Sequence, residues 1–192
     1  MLRQILTLLY KLTAEPAPTW KSLSEKKQEK DNEEFYKDYL LLIFGIIAFL
    51  SFIGILFATS SFNVQLALKT VIKQLIVYGG SFYALSIIFS KYLFPRFGLE
   101  ENKIIAERFI GYSSALIYLV AMVHALFPGF ILLEILTLYT IYIIWVGATQ
   151  FLKMEENRLV KFTIFASILF FVIPLLLNWI AHLMMPGLKT AF

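Results

Sequence analysis

From residue 39 onward the chain alternates long apolar segments with short polar gaps. A helix needs about 20 mostly apolar residues to cross the hydrocarbon core of a bilayer, and five segments approach or exceed that length. The pattern therefore predicts an all-α fold, a polytopic integral membrane bundle of five transmembrane helices. The spans are expected at about 39–59, 71–92, 107–127, 130–152 and 160–185.

The gaps and prolines predict how these spans are connected. The second span has the shortest uncharged stretch, so its flanking Lys73 and Lys91 must extend their side chains toward the two membrane surfaces. Spans three and four are separated only by Pro128 and Gly129, which predicts a tight helical hairpin. Pro174 lies inside the fifth span and predicts a kink there.

Residues 1–38 form a different kind of segment, ahead of a transmembrane domain at 39–192. Apolar residues recur at helical spacing between Leu2 and Leu12 and polar residues surround them, which predicts a short amphipathic helix in the cytoplasmic interface. A charged linker follows it. A signal peptide is the alternative, but the apolar run is short and interrupted and no small-residue cleavage site follows.

Composition agrees with a membrane protein and excludes several enzyme classes. Only 16% of the residues are charged and the mean hydropathy is +0.76, whereas soluble domains carry about 25% charged residues. The chain has no Cys, which excludes disulfides, thiolate nucleophiles and Cys-ligated metals. The net charge is a modest +4 and the basic residues are mixed with acidic ones, so no nucleic-acid partner is expected.

The distribution of Lys and Arg predicts the orientation, because basic residues are retained on the cytoplasmic side. All but three of the 17 basic residues lie in the N-terminal segment or in the gaps after spans two and four. The exceptions are Lys69, Lys73 and Lys189. The N-terminus is therefore expected in the cytoplasm and the C-terminus outside it.

Five polar side chains within or beside the spans form the candidate site, because ionisable groups are expensive inside a membrane. His124 and Glu134 lie on either side of the predicted hairpin turn, at similar depth. His182 and Asn178 share one face of span five, and Lys73 begins span two on the same side. Such a cluster suits proton-linked or cation binding. The alternative is that these side chains only anchor the interface or form structural hydrogen bonds.

No catalytic, cofactor or metal motif is present, so the protein is expected not to be an enzyme. The two aspartates, Asp31 and Asp38, lie outside the spans, and no zinc-protease, nucleophile-elbow or phosphate-binding motif occurs. Small residues such as Gly111 and Ala115 are expected to pack helices within one chain, with a homo-oligomer face as the alternative.

Three segments resemble the bacterial branch of the Yip1 family. Residues 16–20 resemble its Pro and Thr-Trp element before the first span, and residues 109–113 resemble its Gly-Tyr-Ser at the third. Residues 142–163 are similar to its fourth-helix end, charged cytoplasmic link and fifth-helix start. The matched positions are Pro18, Trp20, Gly111, Tyr112, Gly147, Lys153, Glu156 and Arg158.

The resemblance implies a five-span protein of a bacterial inner membrane with a periplasmic C-terminus and no imported reaction. The Asp-Leu-Tyr-Gly-Pro element of eukaryotic members is missing, so their Rab binding and Golgi trafficking are not implied. The first hypothesis is a non-enzymatic membrane scaffold that contacts the lipid bilayer and a cytoplasmic protein partner. The alternative is a small transporter or transporter subunit that uses the intramembrane His and Glu cluster.

Overall fold

The computed structural model describes residues 2–25, 32–58, 63–127 and 132–185, and these residues are almost entirely helical. The N-terminal part contains α1 (Leu2–Ala14), α2 (Pro16–Glu25), a short α3 (Asn32–Glu34), a π-helical turn (Phe35–Leu40) and α4 (Leu41–Ala58). The middle contains α5 (Val64–Ile88), a second π-helical turn (Phe89–Leu93), α6 (Phe94–Arg96), α7 (Lys103–Ser113) and α8 (Ala115–Leu126). The last part contains α9 (Leu132–Leu136), a 3-10 turn (Thr137–Tyr139), α10 (Thr140–Gln150) and α11 (Glu156–Met184).

Four helices are long and apolar enough to cross a membrane. They cover Phe35–Ile55, Val64–Arg96, Leu132–Gln150 and Glu156–Met184. The paired helices α7 and α8 bend by 47° at Ser114 and make a fifth if the pair is counted as one span. The all-α fold with several membrane-length helices is therefore confirmed for the described residues.

The helices differ from the expected spans in two places. The second membrane-length helix begins at Val64, where the Asn63 side chain accepts a hydrogen bond from the Leu66 N–H at 3.1 Å, and it runs for 33 residues. Its lysines thus lie within a long helix and do not mark its ends. The break occurs at Ser114 in the third segment, whereas α11 continues through Pro174. The predicted turn at 128–129 lies outside the described residues.

The N-terminal helices belong to the hydrophobic core of the bundle. Helix α1 packs against α8 and buries Ile5, Leu9 and Leu12. Helix α2 packs against α10 and buries Trp20 completely. Residues 2–25 therefore share the core of the spans, although the sequence suggested a separate segment in the interface.

One end of the bundle, which we call the packed end, is filled by aromatic rings. Phe109 lies at its centre, with ring centroids 5.7 Å from Trp20, 6.0 Å from Phe89 and 5.9 Å from Phe162. The Phe151 ring completes the group at 5.4 Å from Trp20. All five side chains are almost fully buried, so this end has a dense core.

At the opposite end, which we call the cavity end, the last turns of some helices meet the first turns of others. The last turns of α4, α8 and α11 meet the first turns of α5 and α9 there. Gly54 makes the closest approach, because a Cβ at this position would overlap the carbonyl group of Ala125 on α8. Helices α4 and α8 are thus in direct contact, while the space beside them is left unfilled.

Candidate ligand-binding cavity

A cavity of about 850 Å³ lies at the cavity end, between α4, α5, α8, α9 and α11. Its deeper wall is mostly apolar and includes Val77, Ile117, Val120 and Phe170. Its polar lining is contributed by all five helices and consists of Ser51, Thr70, Lys73, Gln74, Tyr78, His124, Glu134, Thr137, Asn178, Trp179 and His182. The cavity thus joins an apolar wall to a polar group of side chains.

Lys73 and His182 form the first polar pair of this lining. The Lys73 Nζ lies 3.1 Å from His182 Nε2, across the contact between α5 and α11. An ammonium group can only donate, so His182 accepts at Nε2 and carries its proton on Nδ1 when Lys73 is charged. Asn178 lies one turn earlier on α11 and lines the same cavity.

His124 and Glu134 form the second pair. His124 Nδ1 lies 3.9 Å from Glu134 Oε1, and these side chains connect α8 to α9. The Glu134 side chain is 63% exposed, whereas that of His124 is 28% exposed. The Thr137 hydroxyl donates to the Glu134 carbonyl oxygen at the start of the 3-10 turn. Glu134 is therefore held at the rim of the cavity.

All five residues that the sequence grouped line this one cavity. The expected closeness of His124 to Glu134, and of Lys73 to His182, is present in the structure. The cluster forms two pairs on opposite walls. Among the described residues, no three His, Asp or Glu side chains are close enough to hold a metal ion. The metal-binding form of the cation hypothesis therefore has no ligand set in this part of the chain.

Sequence reasoning missed several polar residues of the lining. Thr70, Gln74 and Tyr78 lie on the same face of α5 as Lys73. Counted from Thr70, the other three residues follow at three, four and eight positions, a spacing that recurs on one helix face. That spacing was the available signal. Ser51 on α4 gave no such signal, since a single Ser in an apolar span is common and inexpensive.

Ser51 has an unusual environment. It is 2% exposed, lines the cavity, and its hydroxyl has no hydrogen-bond partner among the described residues. A buried hydroxyl without a partner costs free energy. Ser51 is therefore a buried polar residue of the cavity wall whose hydroxyl is unsatisfied among the described residues.

Two charged residues at the packed end are also buried, of which Arg108 was expected in the basic gap before the third span. Glu107 is 3% exposed and Arg108 is 5% exposed, both near the middle of α7. Glu107 lies 3.6 Å from the Lys103 ammonium. The sequence treated Arg108 as a topological charge because the helix was expected to enter the membrane just after it.

Several positions matched by the family resemblance come together at the packed end. Trp20 packs on Gly147, where an added Cβ would lie 2.8 Å from the indole ring. The same ring contacts Tyr112 edge-on at 6.0 Å between centroids. A Cβ on Gly111 would lie 2.6 Å from the Phe35 ring. These glycines thus make room for aromatic side chains. Pro18 is exposed on α2.

The remaining matched positions form the link between α10 and α11. Lys153 has a positive φ of 53°, and Glu156 is the first residue of α11. The Arg158 Nη1 donates to the Phe97 carbonyl oxygen at 3.0 Å, beside Gly98, whose φ is 77°. This hydrogen bond joins the link to the loop that follows α6.

The comparisons with known proteins identify no relative. No protein-family model, curated protein or solved structure matches this chain. The family resemblance therefore rests on the residues described above, and the function has to be argued from the cavity.

Proposed function

We propose that this chain is a non-enzymatic integral membrane protein that binds a small molecule in its cavity, as a small transporter or a transporter subunit. The observation that carries the proposal is the convergence of polar side chains from five helices on one cavity. Polar and ionisable groups are costly in a membrane and usually face a substrate or ion pathway. The volume of about 850 Å³ also lies within the range of small-molecule sites.

The side-chain geometry favours a binding site over interfacial anchoring. A lysine that only anchors a helix extends its ammonium group toward water or lipid headgroups. Lys73 is half-buried and its ammonium group contacts His182 on another helix. Ser51 also lines this space, and its buried hydroxyl has no protein partner among the described residues. Both features support a polar interior that binds a ligand.

We further propose a topology of five spans, in which the bent pair α7 and α8 forms the third. This count supports the positive-inside pattern, because it keeps the basic gaps after α6 and α10 on one side. The N-terminus is then cytoplasmic and the C-terminus periplasmic, in a bacterial inner membrane. The convergence of Trp20, Gly111, Tyr112 and Gly147 supports a Yip1-like domain.

The transporter proposal predicts solute-dependent proton movement in liposomes. The purified protein is reconstituted around a pH-sensitive dye, and organic anions, organic cations or divalent metal salts are added outside. At least one solute class should change the internal pH, and Glu134→Gln should abolish that change, because Glu134 is the acidic group of the lining in the described part of the chain. Glu156→Gln is the matched control, since Glu156 is exposed at the other end. Equal signals from Glu134→Gln, His124→Gln, His182→Gln and the unmodified protein would contradict the proposal.

A scaffold is the second candidate, favoured by the exposed and well-fixed link between α10 and α11. Lys153, Glu156 and Lys161 are exposed there, while Arg158 ties the link to the Phe97 carbonyl group. Fixed charges at a membrane surface suit a protein partner or anionic lipid. The double substitution Lys153→Glu and Lys161→Glu should then remove crosslinks to the partner in native membranes while insertion remains normal. Unchanged crosslinks would exclude this link as the contact surface.

A further inference from the structure

We infer that the ligand of the cavity is an amphipathic anion, with a single carboxylate or phosphate group on an apolar body. This inference rests on the proposed function, because it names the class of molecule that the same cavity binds. The charged head contacts Lys73 and the neighbouring amide groups. The apolar body lies along the deeper wall formed by α5, α8 and α11.

The charge of the cavity lining favours an anionic ligand. Lys73 is the one Lys or Arg side chain among the described residues of the lining. No carboxylate of the described residues lies within 4 Å of its ammonium group. Glu134, the acidic residue of the lining, is largely exposed and faces His124. A half-buried cation without an ionic partner is unfavourable, and a bound anion supplies the missing charge.

The hydrogen-bond donors around Lys73 also suit an anion. When His182 accepts one N–H of the ammonium group, two N–H groups remain for a ligand. Gln74 and Asn178, whose amide groups can donate hydrogen bonds, line the same space. An ionised carboxylate or phosphate only accepts hydrogen bonds, so it matches these donors. An organic cation has no matching set, because the acidic residue is at the rim.

The apolar wall of the cavity indicates that the anion carries an apolar body. Val77, Ile117, Val120 and Phe170 line the cavity away from the lysine. Beyond them lie the rings of the packed end, including Phe89, which is 5.7 Å from Phe170 between centroids. A purely inorganic anion would leave this wall in contact with water. An apolar chain or ring attached to the anionic head covers it and is stabilised by about 25 cal/mol for each Å² removed from water.

The absence of Cys from the chain allows a direct test of the cavity. A single Cys replaces Ile117, a half-buried residue of the cavity wall. Its modification rates by an anionic reagent, sulfonatoethyl methanethiosulfonate, and by a cationic one, trimethylammonioethyl methanethiosulfonate, are measured in phosphatidylcholine vesicles. Each rate is divided by the rate of the same reagent with free mercaptoethanol, which removes intrinsic differences in reactivity.

Phe49→Cys is the matched control for lipid exposure. Phe49 is 63% exposed on the outside of α4. Because Gly54 meets Ala125 and both helices run toward the cavity end, Phe49 lies nearer that end than Ile117 by about 4.5 Å along the axis. A reagent in water should nevertheless fail to modify Phe49→Cys, because lipid surrounds that position.

The anionic reagent should modify Ile117→Cys faster than the cationic one by about tenfold, as expected for a unit charge nearby. Adding Lys73→Gln should remove this preference, whereas Lys73→Arg should keep it. Lys69→Gln is the charge control, since Lys69 lies on the same helix outside the cavity lining. An unchanged preference in Lys73→Gln would overturn the assignment of Lys73.

Protection experiments test the ligand class. Decanoate at submicellar concentration should slow the modification of Ile117→Cys several-fold, while decyltrimethylammonium should not. Butyrate should protect less than decanoate, because its apolar body is too short to cover the wall. Vesicles containing phosphatidylglycerol and no decanoate identify the source: slower modification there assigns the anion to a lipid headgroup, and an unchanged rate assigns it to a soluble amphiphile.

The outcomes separate this inference from the proposed function. If Ile117→Cys is as unreactive as Phe49→Cys, the cavity is closed to solutes and the proposed function is wrong. If both reagents modify Ile117→Cys equally, or the cationic one is faster, the cavity stands and the anion assignment is wrong. If decanoate gives no more protection than butyrate, the apolar body is wrong.

Discussion

At the residue scale, Gly54 decides how closely α4 approaches α8 at the edge of the cavity. Gly54→Ala places a Cβ against the Ala125 carbonyl group, and backbone cannot move aside cheaply. We expect a loss of about 1–3 kcal/mol in stability, as for other overpacked positions. The measurement is the midpoint of thermal unfolding in detergent.

Gly79→Ala is the control for Gly54→Ala, since a Cβ at Gly79 has no neighbour within 4 Å. Alanine is a better helix former than glycine, so this variant should be as stable as the unmodified protein or more stable by about 0.5–1 kcal/mol. A Gly54→Ala protein that is no less stable than Gly79→Ala would show that α4 and α8 are not in contact.

Residue chemistry explains which parts of the site were predictable. Lys73, His124, Glu134 and His182 were found because a titratable side chain in an apolar span needs a reason to be there. Ser51 was not found, because only the folded structure shows that its hydroxyl is buried and has no hydrogen-bond partner among the described residues. Only the folded chain shows that the two pairs lie on walls of one cavity.

At the scale of elements, Trp20 attaches α2 to the bundle. Its ring is fully buried between Gly147, Phe109 and Phe151. Trp20→Ala should cost about 3–5 kcal/mol, as for other large-to-small changes in a core. We expect faster amide hydrogen exchange throughout residues 2–25 by mass spectrometry. Tyr10→Ala is the control, because Tyr10 is exposed; equal exchange in both variants would contradict the anchoring role.

Element boundaries show where sequence patterns are insufficient. The apolar stripe of α1 was visible in the sequence, but a stripe does not tell whether lipid or protein covers it. The structure covers it with α8. The bend at Ser114 was not expected from the sequence, and α11 is one continuous helix through Pro174. The start of α5 was placed too late because Lys73 was treated as one flank of the second span, whereas the helix begins at Val64.

At the scale of the whole molecule, the proposed topology can be tested by labelling from one side of the membrane. Asn63→Cys and Asn157→Cys introduce exposed thiols at the two ends of the bundle. In intact bacterial cells an impermeant maleimide should label Asn63→Cys, and it should label Asn157→Cys only after permeabilisation. The opposite pattern would place the N-terminus outside, and labelling of both in intact cells would contradict the span count.

The aromatic filling of the packed end has a consequence for the traffic of molecules through the bundle. Phe89, Phe109 and Phe162 occupy the axis that continues from the cavity toward the other side of the membrane. In this packing the buried rings fill the bundle beyond the cavity. A single copy of a transporter of the proposed kind would therefore need these rings to separate, or a second protein to complete the route, before a molecule in the cavity could reach the other side.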